Sequence, residues 1–416
     1  MSCDMPKMAK LGDACCGCGA CAARCPKGCV EMVPDAAGFL RPEVDTGACI
    51  GCGGCDSVCP AIGGRPEDAV SSVCWAKSRD REERLASSSG GIFALLAHEV
   101  LRDGGVVVGA AWASGFKAVR HVLVEDEDRL DEVMRSKYVQ SSVGREVYEG
   151  VRGALRGGRR VLFAGTACQV AGMRAYLGRL ADSEGFLAVD VICHGAPSPL
   201  LWERWAEHKE RVAHTALRAV NMRSKTTGWL SYSASYAYAY DAEKDGASAS
   251  PAPAGDSCVF GEDWFMRAFL ANACLRPSCY ACPAKRSCGS DITLGDFWGI
   301  QSAHPEVDIE GGVSAVICNT PKGVAAFEAI SPCVESGESS LERVLPGNPS
   351  LVSPVAPYAK RGEFMRNLEG GMAIEEMVRK YDFRTPLTQR VRAKLGAVKR
   401  RVLGAVRDLM LGSRST

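Results

Sequence analysis

Eight of the chain's 21 cysteines stand in one pattern written twice: Cys15-x2-Cys18-x2-Cys21-x3-Cys25-Pro26 and Cys49-x2-Cys52-x2-Cys55-x3-Cys59-Pro60. A compact run of four thiolates is the spacing that holds a four-iron, four-sulfide cube. Three close thiolates take three irons of one cube, and the fourth, before a proline, reaches the other. The pattern assigns Cys15, Cys18, Cys21 and Cys59 to one cluster, and Cys49, Cys52, Cys55 and Cys25 to a second. The chemistry is one-electron transfer. Zinc usually takes two separated pairs of ligands, and an odd cysteine total argues against a disulfide scaffold.

A third group is Cys274-x4-Cys279-x2-Cys282-x5-Cys288. Its spacing suits a third iron–sulfur cluster, a structural zinc site or a redox-labile dithiol. Cys279 and Cys282 form its core; the fourth ligand is Cys288 or a distant thiolate such as Cys168 or Cys193. Ser89-Gly90-Gly91 precedes an apolar stripe at helical spacing, Ile92, Leu95, Leu96 and Val100. A helix start with small residues either admits a phosphate or is simply a turn. Gly165-Thr166-Ala167-Cys168-Gln169 reads as a strand-to-helix turn, where an outward thiol has its pKa lowered; a buried small-residue turn is the plainer reading. His194 follows a strand end and is either structural or a proton-transfer group.

The elements that must position these residues are readable in outline. Val30–Val33 and Phe39–Val44 read as two short strands about a Gly38 turn, enough for a small domain held by its clusters. Residues 61–67 read as a linker. Val106–Val108 and Val122–Val124 read as strands, and Glu125–Met134 as an acidic helix. Arg160–Gly165, the helix Val170–Leu180 and Phe186–Ile192 form a βαβ unit. Its right-handed crossover makes the strands parallel, so Cys168 and Cys193-His194 should share the ligand-binding rim. Ser231–Tyr240 alternates as a strand, 246–257 is a low-complexity loop, and Val313–Ile317 is another strand. Fifty basic residues against 49 acidic leave no electrostatic footprint for nucleic acid. No secretory leader or 18-residue apolar run is visible, and the cysteine usage suits a reducing cytoplasm. From Leu387 the tail carries an apolar helical stripe with a basic opposite face. It is either a solvated helix or a peripheral contact with a membrane surface or acidic partner.

Taken in order, SSSGGIF (87–93), SKYVQS (136–141), VLFAGTACQVAG (161–172), VDVICHGAPSP (189–199), CLRPSCYAC (274–282) and SDITLGDFWGI (290–300) resemble the coenzyme F420 hydrogenase/dehydrogenase beta-subunit family, from about residue 10 to about 330. The ferredoxin-like segment is a common fusion there, and Ala167 stands where the family often has proline. The resemblance implies FAD as converter between one-electron clusters and a hydride carrier such as F420 or NAD(P)H. It makes Ser89, Gly90, Gly91, Ser136, Lys137, Tyr138, Gln140, Gly165, Thr166 and Gln169 flavin-site candidates, and Cys274, Cys279 and Cys282 cluster candidates. Lys137 and Tyr138 offer a cation and an aromatic face, unless they sit on an exposed helix end. His194 and Cys168 are the catalytic candidates.

The expected architecture is an α+β ferredoxin-like domain with two 4Fe–4S clusters (1–66), followed by an α/β flavin-binding domain containing the βαβ unit. The latter divides into an N-terminal region (67–158) and a C-terminal FAD and iron–sulfur region (159–335), and a tail follows (336–416). The expected function is an iron–sulfur flavoprotein oxidoreductase with a redox protein or partner subunit. The alternatives are an electron-delivery subunit for a partner enzyme, polysaccharide-related in some relatives, and a redox-sensing module.

Overall fold

A computed structural model describes residues 5–63, 67–239 and 255–384. The runs Val106-Val107-Val108, Val161-Leu162-Phe163 and Phe186–Val189 are buried on both faces, as parallel strands between helical layers must be. They belong to a nine-stranded mixed sheet. In chain order its strands are β3 (Ser72–Ser78), β4 (Val106–Trp112), β5 (Val119–Val124), β6 (Ser141–Ser142), β7 (Val161–Thr166), β8 (Phe186–Val191), β12 (Ile292–Asp296), β13 (Ser314–Cys318) and β14 (Val334–Glu338), in spatial order β14-β3-β13-β12-β8-β7-β4-β5-β6. The four central strands β12, β8, β7 and β4 are parallel, and antiparallel pairs flank them. One face packs Val107, Leu162, Leu187 and Ile292 beneath α4 (Ile92–Arg102). The other packs Val106, Val108, Phe163 and Ala188 beneath α5 (Arg145–Arg156) and α6 (Ala167–Leu177).

The ferredoxin-like segment carries β1 (Val30–Pro34) and β2 (Leu40–Val44), paired antiparallel, with α1 (Ala20–Arg24) and α2 (Gly54–Ser57). It docks at two places. α1 lies on α5 and α6, where Tyr148 Oη donates to Cys18 O at 2.7 Å and Arg145 donates to the carbonyls of Ala22, Ala23 and Cys25. The Gly38 turn meets α7 (Pro199–Ala213): Ser198 Oγ donates to Ala37 O at 2.7 Å, and a Cβ at Gly38 (φ +82°) would stand 2.8 Å from Leu200 N. A second core gathers around α7 and a three-stranded sheet of β9 (Leu217–Ser224), β10 (Ser233–Tyr238) and β11 (Gly255–Val259). It includes Trp202, Trp264, Phe269, Phe364, Leu368 and Met377.

Four expectations change. Regions 67–158 and 159–335 share one sheet, with β3 between β13 and β14. A boundary at 335/336 would cut β14, and the helices Arg361–Glu369 and Ile374–Lys380 bury side chains in the second core. Residues 255–257, expected in the low-complexity loop, pair with β10, and the acidic stretch forms a 3-10 helix only over Glu127–Glu132. The basic stripe from Leu387, residues 246–254 and part of the expected linker (64–66) lie outside the described residues. Among the described residues no helix is long and apolar enough to cross a membrane.

Candidate redox site

The two pattern runs interleave. Cys15, Cys18, Cys21 and Cys59 line one cavity, with Met8, Met32 and Pro42. Cys25, Cys49, Cys52 and Cys55 line another, of about 220 Å³, with Cys29, Lys27 and Ile50. In each, three thiols come from one run and the fourth from the other. Tight left-handed glycines make this possible: Gly17, Gly19, Gly51 and Gly53 have φ between +67° and +83° and wrap each run around its own centre. Cys21 lies within electrostatic reach of both Cys15 and Cys55, so the two groups adjoin. Among the described residues no three side chains close on one point as for a single ion, where a zinc–sulfur bond is about 2.3 Å. A cube fills the space between its thiolates and holds them further apart.

A third convergence comes from separate segments. Cys168 opens α6 and Cys193 follows β8. The parallel register pairs Thr166 with Val191, two residues before each cysteine, so the two share a rim. An isolated bridge between Pro197 and Leu275 then brings the Cys279–Cys282 loop over it. The thiols of Cys168, Cys193, Cys279 and Cys282 are all within electrostatic reach of one another. Cys274 and Cys288 do not join them. Cys274 is buried in the second core near Ser198 and Arg361, and Cys288 lies beside Asp68, whose Oδ2 accepts from its backbone N–H at 3.1 Å.

Burial pushes the Cys279 thiol up to about 12 and the Cys193 and Cys282 thiols up as well. Cys168 also rises: its hydrogen bond with the Cys16 thiol, followed by burial, outweighs the helix start that was expected to lower it. Two cations flank the group. Lys285 Nζ donates to Cys193 O at 2.7 Å. Arg276, 1% exposed, donates from Nε to Cys15 O at 2.7 Å, from one terminal nitrogen to Gln140 Oε1 at 2.9 Å and from the other to Leu40 O at 2.8 Å.

The flavin candidates fall in three places. Gln140 joins Arg276 and donates from Nε2 to Cys16 O at 3.2 Å, at the ferredoxin interface. Gly165, Thr166 and Gln169 build the start of α6: Thr166 N–H donates to Gln169 Oε1 at 2.9 Å, and Gln169 Nε2 to Ser141 Oγ at 2.9 Å. Ser89, Gly90 and Gly91 meet Ser136, Lys137 and Tyr138 at the third place. There Ser136 N–H donates to Ser88 Oγ at 2.8 Å. Ser89 Oγ donates to Val313 O and Gly90 N–H to Ser314 Oγ, each at 3.0 Å. A Cβ at Gly90 would stand 2.4 Å from Ala76 O, so that glycine admits a strand. Lys137 and Tyr138 are half-buried rather than on an exposed helix end; burial lowers Lys137 to about 7.

Sequence reasoning missed the residues that complete this third place. Arg223 donates to Ser88 O at 3.1 Å and to Asp296 Oδ1 at 2.6 Å, and packs over Tyr232 at 4.0 Å and Trp298 at 5.2 Å. Trp229 stacks on Trp298 at 5.1 Å and also donates to Asp296. Lys225 Nζ donates to the carbonyls of Arg84, Ser89 and Gly311. Buried Nε atoms of Arg84 and Arg223 have no hydrogen-bond partner among the described residues. The GDFWG string held Asp296 and Trp298 in view; Arg223 and Lys225 stand in no motif. Tyr138, stacked on Phe269 at 4.8 Å, and His194, edge-on to Phe269 at 5.0 Å, connect this place to Cys193. His194 Nε2 pairs with Asn272 Oδ1 at 2.6 Å, and burial lowers its pKa.

Residues 158–342, which carry Cys168, Cys193, the Cys279–Cys282 loop, Arg223 and Asp296, match the family described as the C terminus of the coenzyme F420 hydrogenase/dehydrogenase beta subunit. Among solved structures, a chain of the xenon-derivatised F420-reducing NiFe hydrogenase complex from Methanosarcina barkeri is similar at 15% identity, over 77% of this chain and 94% of that chain, with a TM-score of 0.43. No curated protein matches the chain. The family segment begins at β7 and ends beyond β14, so it takes in the rim, the third thiol group and its cations, while the two pattern runs lie before it.

Proposed function

We propose that the chain is an iron–sulfur flavoprotein oxidoreductase subunit that passes electrons between a partner redox protein and a hydride carrier of the F420 or NAD(P)H class. The observation that carries this reading is the succession of three four-thiol groups. The Cys25/49/52/55 group adjoins Cys15/18/21/59, and from there the Cys16 thiol hydrogen-bonds Cys168 of the third group. Each donor set suits a 4Fe–4S cube. The orphaned Arg223 Nε beside Ser88, Tyr138 and Trp298 suits an anionic, aromatic ligand such as FAD. When bound, the clusters supply single electrons and the flavin exchanges them for hydride.

The chain's own residues divide the remaining work. Cys168 serves as a cluster ligand, which replaces the catalytic role expected of it. Ala196 N–H donates to Cys279 Sγ at 3.3 Å and orients that ligand. Arg223 holds an anion while Asp296 fixes its guanidinium. Gly165, Thr166 and Gln169 hold the start of α6 in place, and Gln140 holds Arg276. His194, with Nε2–H given to Asn272, keeps Nδ1 able to take a proton beside the Tyr138–Phe269 stack.

Anaerobically purified protein is expected to hold about twelve irons, about twelve labile sulfides and one FAD per chain. F420H2 or NAD(P)H should bleach the flavin and the iron–sulfur absorbance together. Cys193→Ser should lose about four irons while Cys288→Ser loses none. Protein without flavin, or a Cys193→Ser variant with full iron, would overturn the reading.

A further inference from the structure

We propose that Cys29 is a second, interchangeable ligand for the iron that Cys25 holds, so that one ferredoxin-like site carries five thiols for four irons. This rests on the cluster assignment above. Five cysteines line the 220 Å³ cavity: Cys25, Cys29, Cys49, Cys52 and Cys55. Only four belong to the repeated pattern. Cys29 Sγ lies 3.3 Å from Cys25 Sγ, and the two residues are 8% and 6% exposed. Cys29 also reaches the Cys49 thiol, so it stands between two members of the set.

The backbone fixes this placement. Gly28 N–H donates to Cys25 O at 3.3 Å, with Gly28 at φ +64°, and closes a tight turn that points both thiols the same way. Asp45 N–H donates to Cys29 O at 2.9 Å and pins the far end of that turn, just before β1, to the end of β2. Cys25 stands at the fourth position of the repeated pattern, before Pro26, which makes it the resting ligand, with the Cys29 thiol beside it as the substitute. Exchange then needs only side-chain rotation. The iron–sulfur bond to Cys25 breaks, one to Cys29 forms, and the Cys29 proton passes to the Cys25 sulfur, with no change in oxidation state. The first site has no equivalent, because its extra thiol, Cys16, is engaged by Cys168 of the neighbouring group.

The test counts iron and labile sulfide and records low-temperature electron paramagnetic resonance on anaerobic wild type, Cys25→Ala, Cys29→Ala and the double variant. Wild type, Cys25→Ala and Cys29→Ala should keep equal iron, and the spectrum of Cys25→Ala should shift without losing intensity. The double variant should lose between one and four irons or show a three-iron signal when oxidised. Iron loss in Cys25→Ala equal to that of the double variant would overturn the proposal. So would failure of both Cys25→Ala and Cys25→Ser to fold while Cys29→Ala folds with full iron, since a working substitute thiol would rescue them. Wild type without iron would instead remove the cluster assignment itself, and this proposal with it.

Discussion

Replacing Gly172 by alanine tests how the ferredoxin-like segment is seated. Gly172 lies inside α6, four residues after Cys168, and a Cβ there would stand 2.9 Å from Cys18 Sγ, 3.2 Å from Cys18 Cβ and 3.2 Å from Tyr148 Oη. Within an unencumbered helix the change stabilises by about 0.5–1 kcal/mol, because alanine restricts the unfolded chain and suits the helix. Here the methyl must displace a short buried side chain and a hydroxyl already committed to Cys18 O. Overpacking of that kind costs about 1–3 kcal/mol. The two effects have opposite signs, and the larger one sets a net loss of about 1 kcal/mol, rising toward about 2.5 where nothing can yield. In iron-free protein the Cys18 thiol can rotate away. In loaded protein a cluster holds it, so the penalty should be larger there. Urea midpoints of wild type and Gly172→Ala, measured anaerobically with and without iron, give both differences. A stabilised variant in both states would refute the packing of Cys18 on α6, and equal penalties in the two states would refute Cys18 as a cluster ligand.

Arg276→Met removes the donor to Cys15 O, Leu40 O and Gln140 Oε1 at once; with charged hydrogen bonds worth about 1.5–3 kcal/mol each, the loss should be at least about 3 kcal/mol by urea unfolding, and less than about 1 would deny its role as the tie between segments. Burial pushes the Asp190 carboxyl from the usual 3.8 up to about 6. The folded state therefore binds that proton more tightly, and the resulting stability is full below pH 3.8 and lost as pH rises through 6, on the order of 3 kcal/mol. Asp190→Asn keeps the acceptor for Ser290 and Thr293 and should flatten that decline in iron-free protein, as urea midpoints across pH 4–6 will show. Arg223→Met should weaken FAD retention by about 10- to 100-fold, read by equilibrium dialysis, with iron content unchanged.

How much was legible follows from where each constraint lies along the chain. The repeated cysteine runs and the apolar strands β4, β7 and β8 are local signals, and the βαβ register put Cys168 and Cys193 on one rim. The third thiol group is not local. Spacing favoured Cys274 and Cys288 because they lie near Cys279 and Cys282, whereas the fold turns Cys274 into an aromatic core and gives Cys288 to Asp68. What decides the set is the Pro197–Leu275 bridge, and no periodicity signals it. Strand β14 was divided between the C-terminal region and the tail for the same reason: its partner is β3, far earlier in the chain, and Glu335, Ser336 and Gly337 have little strand character of their own. Arg223 and Lys225 look like ordinary surface-strand cations until the Ser88–Ser89 turn folds over them.

The charges around the three thiol groups imply a direction for electrons. Asp56 lies within electrostatic reach of Cys55 in one ferredoxin-like group and Cys59 in the other, and it receives the backbone N–H groups of Lys7 and Met8 at 3.0 and 2.8 Å. Its negative charge opposes adding an electron nearby. The third group differs in having Lys285, which acts on Cys193 and Cys282, beside Arg276, which acts on Cys168 and Cys279 and also donates to Cys15 O. Positive charge and hydrogen bonds to sulfur stabilise the reduced, more negative cluster and raise its potential. With a cluster in each group, Asp56 at the ferredoxin-like end and Lys285 at the rim would favour an electron at the rim where Cys168 and Cys193 meet. Potentiometric titration followed by electron paramagnetic resonance should find the third cluster the easiest to reduce. Lys285→Met should lower its potential and leave the other two in place, while Asp56→Asn should raise those two and leave the third. A third cluster reduced last would reverse the direction and show that solvent exposure at the Cys52 end, rather than these fixed charges, sets the order.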